Sequence, residues 1–132
     1  YKPSAIQKKM MDEGLLGRKS GRGYFDYSES AINPEPNKDK KIGKKIFIRI
    51  LTMLINAAAD ALNGAIATRD DIDTAMTTGV NYPKGLLKWA DDIGLNAPLA
   101  QLKDLHTQSG DDRYIASPLL EKMVISNSTF YA

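Results

Sequence analysis

The chain of 132 residues carries a formal net charge of +2, and 42% of its residues are hydrophobic and 26% are charged. This length leaves room for one compact domain, or for one domain with a fragment of another, and it excludes a complete two-domain enzyme. With no cysteine and a single histidine, His106, the sequence excludes disulfides, thiolate nucleophiles and cysteine- or histidine-rich metal sites, and it favours a cytoplasmic location.

The first 27 residues predict a short helix followed by a glycine-rich, aromatic segment. The Ser4 hydroxyl can accept a hydrogen bond from a first-turn amide and Gly14 tolerates a left-handed exit, so we expect a helix that ends at Glu13. The chain begins at Tyr1 rather than at methionine, and we therefore expect an internal piece of a longer polypeptide.

The glycine-rich loop also holds three cations that could bind a phosphate, namely Arg18, Lys19 and Arg22. Because no strand precedes the loop, an aromatic hook that packs into a core is the simpler interpretation.

Residues 28–41 have the composition of a linker, with Pro34, Pro36 and several lysines but few apolar side chains. We place a domain boundary there, with a tail of a preceding domain in residues 1–27 and a helical domain in residues 42–132. The basic run over residues 38–49 could form a nucleic-acid face. Since part of that run lies in the linker, a solvated tether is the simpler interpretation.

Apolar periodicity after the linker predicts helices over residues 42–62, 68–79, 84–93, 96–107 and 117–124. The first of these is the longest, and its apolar circumference predicts a central helix that is buried on nearly all sides. Its apolar run, residues 50–59, is too short to cross a bilayer, so we expect no membrane segment. Thr68 and Asn96 are the expected caps of the second and fourth helices, and Pro118 is expected in the first turn of the last one. No segment alternates with a period of two, and the predicted fold class is therefore all-α.

Several side chains of the third and fourth predicted helices exceed what a small core obviously needs, and we expect them to form an association face: Leu86, Leu87, Trp89, Leu99 and Leu102. Asp70, Asp71 and Asp73 are expected to stabilise the start of a helix, because their negative charges favour the positive end of its dipole. Asp91 and Asp92 are expected to point in different directions. His106 is expected to be a packed or surface residue of a helix rather than a general base.

A short pattern recurs 113 positions along the chain. Five residues reappear with the same or a related type, because Tyr1, Ser4, Ile6, Lys9 and Met10 correspond to Tyr114, Ser117, Leu119, Lys122 and Met123. Self-similarity at such a spacing indicates duplicated domains. A chance match between two capped helices remains the alternative.

Residues 17–27, with the sequence GRKSGRGYFDY, resemble the closing motif of the C-terminal domain of 3-hydroxyacyl-CoA dehydrogenases. Residues 49–62, 67–76, 79–85 and 90–95 resemble the same domain in a second, tandem copy. The resemblance implies a bundle of about five to six helices, of the 6-phosphogluconate dehydrogenase C-terminal-like class. It departs from the family at Ile48, where an asparagine is usual, and at Leu86, where a proline is common. The tail that ends Phe130-Tyr131-Ala132 also lacks the glycine-rich motif.

The resemblance implies a parent enzyme that oxidises 3-hydroxyacyl-CoA with NAD in fatty-acid β-oxidation or aromatic-acid breakdown. Its NAD-binding domain, catalytic His and catalytic Glu have no counterpart here, so we expect no catalytic, cofactor-binding or metal-ligating residue and no activity of this fragment alone. The expected role is dimerisation or pairing of helical domains and closure of the acyl-CoA site. Expected partners are the NAD-binding domain, the first helical copy and a second subunit in a homodimer, with CoA phosphates near Arg18, Lys19 and Arg22.

Overall fold

The computed structural model describes residues 3–131, which divide into two compact units at the Lys38–Asp39 junction. Tyr1, the first residue of the predicted repeat, and Ala132 lie outside the described residues. Within 3–131 the chain forms six α-helices and no β-strand, which confirms the all-α prediction.

The N-terminal unit contains one helix, α1 (Ala5–Asp12), and a folded loop. The Ser4 hydroxyl accepts from the Gln7 backbone amide, and the Gln7 side-chain oxygen accepts from the Ser4 backbone amide. Both of these amides at the start of α1 therefore have an acceptor. After α1 a 3₁₀ turn, Arg18–Ser20, leads into a tight loop. There Gly23 lies so close to Gly17 that a Cβ atom at position 23 would stand 2.7 Å from the Gly17 Cα. The glycine pair therefore allows the loop to close on itself.

The C-terminal unit contains the remaining five helices. They are α2 (Lys40–Asn63), α3 (Arg69–Thr74), α4 (Leu86–Ile93), α5 (Asn96–Ser109) and α6 (Pro118–Ile125). A π-helical turn, Ala75–Gly79, continues α3, and a 3₁₀ turn, Asp112–Tyr114, precedes α6. The second half of α2 packs against α4, α5 and α6, and the buried core includes Ile55, Leu87, Leu102 and Leu120, each 0% exposed.

Helix α2 differs from its prediction in two ways. It begins at Lys40 because the Asp39 carboxylate accepts from the Lys41 amide at 2.7 Å, so residues 40 and 41 belong to the helix and not to the linker. It is also not buried on all sides, because its six buried residues all lie between Leu51 and Ala59. Its first half extends beyond the core of the unit and stays exposed.

The other helix starts follow local signals with two exceptions. Thr68 caps α3 by accepting from the Asp71 amide, and Pro118 occupies the first turn of α6, both as predicted. The predicted third helix begins two residues late, at Leu86, because Gly85 is its cap. Asn96 is wrong as the cap of α5, because Leu95 precedes the helix in a helical conformation and no side chain accepts from the first turn.

Helix α2 is also the one described helix that is long and apolar enough to cross a membrane by length and composition alone. The relevant length is the full 24 residues of the helix rather than the ten-residue apolar run considered from the sequence. One third of its most apolar 18-residue window is buried within the protein. A core helix can meet the same criteria.

Candidate functional site

The exposed first half of α2 presents one apolar line of side chains. Ile42, Ile46 and Ile50 follow each other at intervals of four residues and are 45%, 55% and 52% exposed. At 3.6 residues per turn these positions share one face, whereas Leu51 and Ile55 lie on the opposite face that enters the core. We call Ile42, Ile46 and Ile50 the α2 stripe. Because nothing in the described residues buries it, the stripe is the candidate association surface.

One aromatic pair lies where the exposed half of α2 meets the core. The Phe47 ring is 5.7 Å from the Trp89 ring, measured between centroids, at a tilt of 51°. Trp89 is half-buried and Phe47 is 47% exposed, so the pair joins an accessible surface to α4. Such tilted arrangements are favourable for aromatic rings. The pair therefore fixes the position of the first half of α2 relative to α4.

The predicted association face has a different location from the α2 stripe. Four of its five members lie in the core of the unit, with Leu86 4%, Leu87 0%, Leu99 8% and Leu102 0% exposed. The prediction is wrong for these leucines, because a side chain inside the core cannot contact another protein. Only Trp89 is partly accessible. The apolar residues that exceed the needs of the core are on α2 instead.

The three predicted phosphate-binding cations, Arg18, Lys19 and Arg22, are all exposed in the loop of the N-terminal unit. The Arg18 guanidinium lies 5.6 Å from the Tyr27 ring centroid, a cation–π distance. Several loop amides bond within the loop, since Gly17 donates to the Arg22 carbonyl at 2.9 Å and Tyr27 donates to the Gly21 carbonyl at 2.9 Å. The loop can therefore offer these cations as charges on a stable turn.

A polar cluster closes the C-terminal unit. The Asp91 carboxylate accepts from the amides of Phe130 and Tyr131, at 2.9 and 2.8 Å. Arg69 donates to the Phe130 carbonyl at 2.7 Å, and its guanidinium stands 4.1 Å from the Tyr131 ring centroid. The end of the chain is thus held through its backbone and through its aromatic side chains.

Asp73 connects this closing segment to the start of α4. Its buried carboxylate accepts from the Leu87 and Lys88 amides at 2.8 and 2.9 Å and from the Tyr131 hydroxyl at 2.9 Å. Burial, together with the hydrogen bond to Asp73, raises the pKa of the Tyr131 hydroxyl above its ordinary value. From the sequence, Asp73 was expected to stabilise the start of its own helix through the helix dipole. That expectation is wrong, because the Asp73 carboxylate accepts from the first-turn amides of another helix, α4.

Other polar residues have structural partners. Asn56 is buried in α2, where it accepts from the Ser117 amide at 2.7 Å and donates to the Ile115 carbonyl at 2.9 Å. A polar residue inside an apolar run, such as Asn56 within residues 50–59, is itself a signal of a buried hydrogen bond. Asp91 and Asp92 have different partners, as their expected different directions imply: Asp92 pairs with Lys84, and this hydrogen bond lowers the pKa of the Asp92 carboxyl. His106 is exposed on α5.

Residues 3–131 contain no group of three metal-ligating side chains. The elements formed by these residues are helices and helical turns, and they include no strand–turn–helix unit of the kind that binds a dinucleotide. Ile48, at the place where the family usually has an asparagine, is half-buried and supplies no polar group.

Comparisons with known proteins agree with this architecture. A family model described as 3-hydroxyacyl-CoA dehydrogenase, C-terminal domain, matches residues 46–129. The chain belongs to this family. The match covers most of the C-terminal unit, from Ile46 in the first half of α2 to Thr129, just before the Phe130–Tyr131 pair that Asp91 binds.

Individual relatives extend this result. A 3-hydroxybutyryl-CoA dehydrogenase from Clostridioides difficile is 40% identical over 103 residues, which cover 78% of this chain and 36% of that protein. The crystal structure of (S)-3-hydroxybutyryl-CoA dehydrogenase PaaH1 from Ralstonia eutropha matches with 38% identity and a TM-score of 0.58, over 60% of this chain and 28% of that one.

A third similarity concerns the fold alone. The crystal structure of 3-hydroxybutyryl-CoA dehydrogenase from Escherichia coli K12 is 23% identical, with a TM-score of 0.69, over 95% of this chain and 44% of that chain. The chain thus spans less than half of each of these three proteins. No comparison supports the nucleic-acid alternative for the basic run.

Proposed function

We propose that this chain is an association domain of a longer NAD-dependent 3-hydroxyacyl-CoA dehydrogenase, and that it holds helical domains together around the acyl-CoA site. The observation that carries the proposal is the α2 stripe, an apolar surface that the C-terminal unit leaves uncovered. Membership of the dehydrogenase C-terminal domain family supports the assignment. Oxidation of a 3-hydroxyacyl-CoA, for which NAD would supply the hydride acceptor, would take place outside these residues.

The proposed occupant of the stripe is a first helical copy in the same parent chain. Two features favour it: the pattern that recurs at 113 residues, and the small share of each relative that the chain spans. Burial of three isoleucines that are about half exposed would contribute a few kcal/mol, at about 25 cal/mol per Å² of apolar surface removed from water. Contact with the NAD-binding domain, a homodimer of the parent, a role in β-oxidation and a cytoplasmic location belong to the same proposal.

The test is a binding measurement between this chain and the remainder of its parent enzyme, by analytical ultracentrifugation. We expect Ile46→Asp to weaken the complex at least tenfold, because it places a charge in the centre of the stripe. Lys44→Asp is the matched control, since it introduces the same aspartate side chain on the same exposed half of α2 but outside the stripe. If the chain stays monomeric at high concentration and does not bind the remainder, the association role fails. Self-association with no binding to the remainder would instead overturn the first copy as occupant.

Contacts of Arg18, Lys19 and Arg22 with CoA phosphates also remain a proposal. Their exposure on a folded loop supports it, because cations on a stable turn can approach a phosphate without reorganisation. Titration of the parent with CoA should give weaker binding when all three are replaced by glutamine. Equal binding by the unmodified and substituted proteins would contradict this role.

A further inference from the structure

The two units contain the same small element. Helices α1 and α6 are both eight residues long and are separated by the 113 positions of the sequence pattern. Both end in the same way: Glu13 and Ser126 each have φ of −83° and ψ of 0°, and the next residues, Gly14 and Asn127, are left-handed with φ of 72° and 49°. The hydrogen bonds to the last carbonyls of the two helices also match. After α1, the amides of residues 13, 14 and 15 donate to the carbonyls of residues 9, 11 and 10, respectively. After α6, the amides of residues 126, 127 and 128 donate to the carbonyls of residues 122, 124 and 123, respectively.

In the C-terminal unit this element is covered. Leu120 and Met123 of α6 are 0% and 8% exposed, and Phe130 is 7% exposed. The two adjacent amides of Phe130 and Tyr131 donate to the two oxygens of Asp91, as described above. We call the residues after each helix the closing segment: 126–131 in the C-terminal unit and 13–27 in the N-terminal unit.

In the N-terminal unit the same element has no cover. Ile6 and Met11 of α1 are 63% and 61% exposed, and the aromatic pair Tyr24 and Phe25 is 69% and 50% exposed. Among residues 3–131, the adjacent amides of Tyr24 and Phe25 donate to no atom. Met11, Tyr24 and Phe25 border an apolar cleft of about 430 Å³ between α1 and the loop. The N-terminal unit therefore exposes an aromatic pair, Tyr24 and Phe25, whose two backbone amides have no carboxylate acceptor among the described residues.

We propose that the N-terminal closing segment docks on the helical body of a preceding copy, built like residues 39–125, through Tyr24 and Phe25. An aspartate or glutamate of that body, at the place of Asp91, accepts the Tyr24 and Phe25 amides, and the apolar face of α1 covers its core. The Asp91 carboxylate of this chain already binds Phe130 and Tyr131, so Tyr24 and Phe25 require a second acceptor of the same kind. The inference rests on the proposed function, because it requires a parent with two helical copies.

Amide hydrogen exchange measured by NMR tests this docking. In the 132-residue chain we expect the Tyr24 and Phe25 amides to exchange rapidly, and the Phe130 and Tyr131 amides to exchange slowly. In the parent expressed from its full reading frame, we expect exchange at Tyr24 and Phe25 to slow at least a hundredfold, because hydrogen-bonded amides exchange only when the structure opens. Replacement of the aligned acidic residue of the preceding copy by alanine should restore rapid exchange there, while Phe130 and Tyr131 stay slow.

Rapid exchange at Tyr24 and Phe25 in the parent would overturn the proposal, and so would a reading frame without a helical body or without an acidic residue aligned with Asp91. The outcome is separable from that of the proposed function. If amide exchange at Tyr24 and Phe25 is slow in the parent but Ile46→Asp does not weaken binding, the docking of the N-terminal closing segment is retained and the association role of the α2 stripe is rejected. Binding that depends on Ile46 together with rapid exchange would reject the docked segment alone.

Discussion

The closing elements of the two units have the same local structure and opposite surroundings. Helix α1 and helix α6 share their length, their C-terminal conformation and their capping hydrogen bonds. Met123 of α6 is buried with Leu120 in a five-helix body, whereas the corresponding Met10 of α1 has only its own loop for cover. The comparison indicates that about ten residues are enough to determine where such a helix begins and ends. They do not determine how much the helix contributes to the stability of the protein. That contribution depends on the body that receives it.

The largest effect is expected from the same substitution at the two equivalent methionines. Met123→Ala should lower the free energy of unfolding of the C-terminal unit by about 2–5 kcal/mol, because it leaves a cavity in a packed core. Met10→Ala should leave this value unchanged within about 0.5 kcal/mol, since its helix lies in the other unit. Urea unfolding followed by fluorescence of Trp89, the single tryptophan, measures both. Equal effects of the two substitutions would contradict the comparison.

A smaller effect is expected where the backbone of one closing segment is bound. Asp91→Ala should destabilise the C-terminal unit by about 1–3 kcal/mol, because the Phe130 and Tyr131 amides lose their acceptor in a partly buried place. It should also speed amide exchange at both residues. Asp92→Ala is the control, since it removes a neighbouring carboxylate that pairs with Lys84 at the surface. A loss with Asp92→Ala as large as with Asp91→Ala would argue against a specific role of Asp91.

The smallest effect concerns the hydroxyl of Tyr131. Tyr131→Phe removes one hydrogen bond to Asp73 and should cost about 1 kcal/mol at neutral pH. Because the folded-state pKa of Tyr131 is raised, the unfolded chain loses this proton first, at about pH 10. The stability of the unmodified protein should therefore fall as the pH rises above 10, and the Phe variant should lose this part of the dependence. Parallel stability curves for the two proteins between pH 9 and 11 would contradict the assignment.

Local signals predicted much of the fold. The Thr68 cap, Pro118 in the first turn of α6, and the exit at Gly14 are properties of a few neighbouring residues, and all three are confirmed. Asn96 failed as a cap because the chain is already helical at Leu95, directly after Gly94 with a φ of 80°. Such an effect depends on backbone angles that residue types alone do not specify.

The candidate surface was harder to predict than the fold. An apolar pattern identifies the residues of α2 that prefer burial, but it does not say where the supporting body ends. Ile46 and Ile55 are equally apolar, yet one is 55% exposed and the other 0%. Asp73 and Asp91 escaped prediction for a related reason, since their partners are 14 and 39 or more residues away in the chain. Tertiary partners of this kind leave no local periodicity.

The carboxylate of Asp73 lies in the space that a side chain at position 85 would require. A Cβ atom added to Gly85 would overlap the Asp73 side chain, which the start of α4 and the Tyr131 hydroxyl hold in place. Relatives that retain an acidic residue at position 73 are therefore expected to retain glycine at position 85, and a side chain at position 85 is expected only where the acid at position 73 has been lost. The two positions should thus be coupled during divergence of the family.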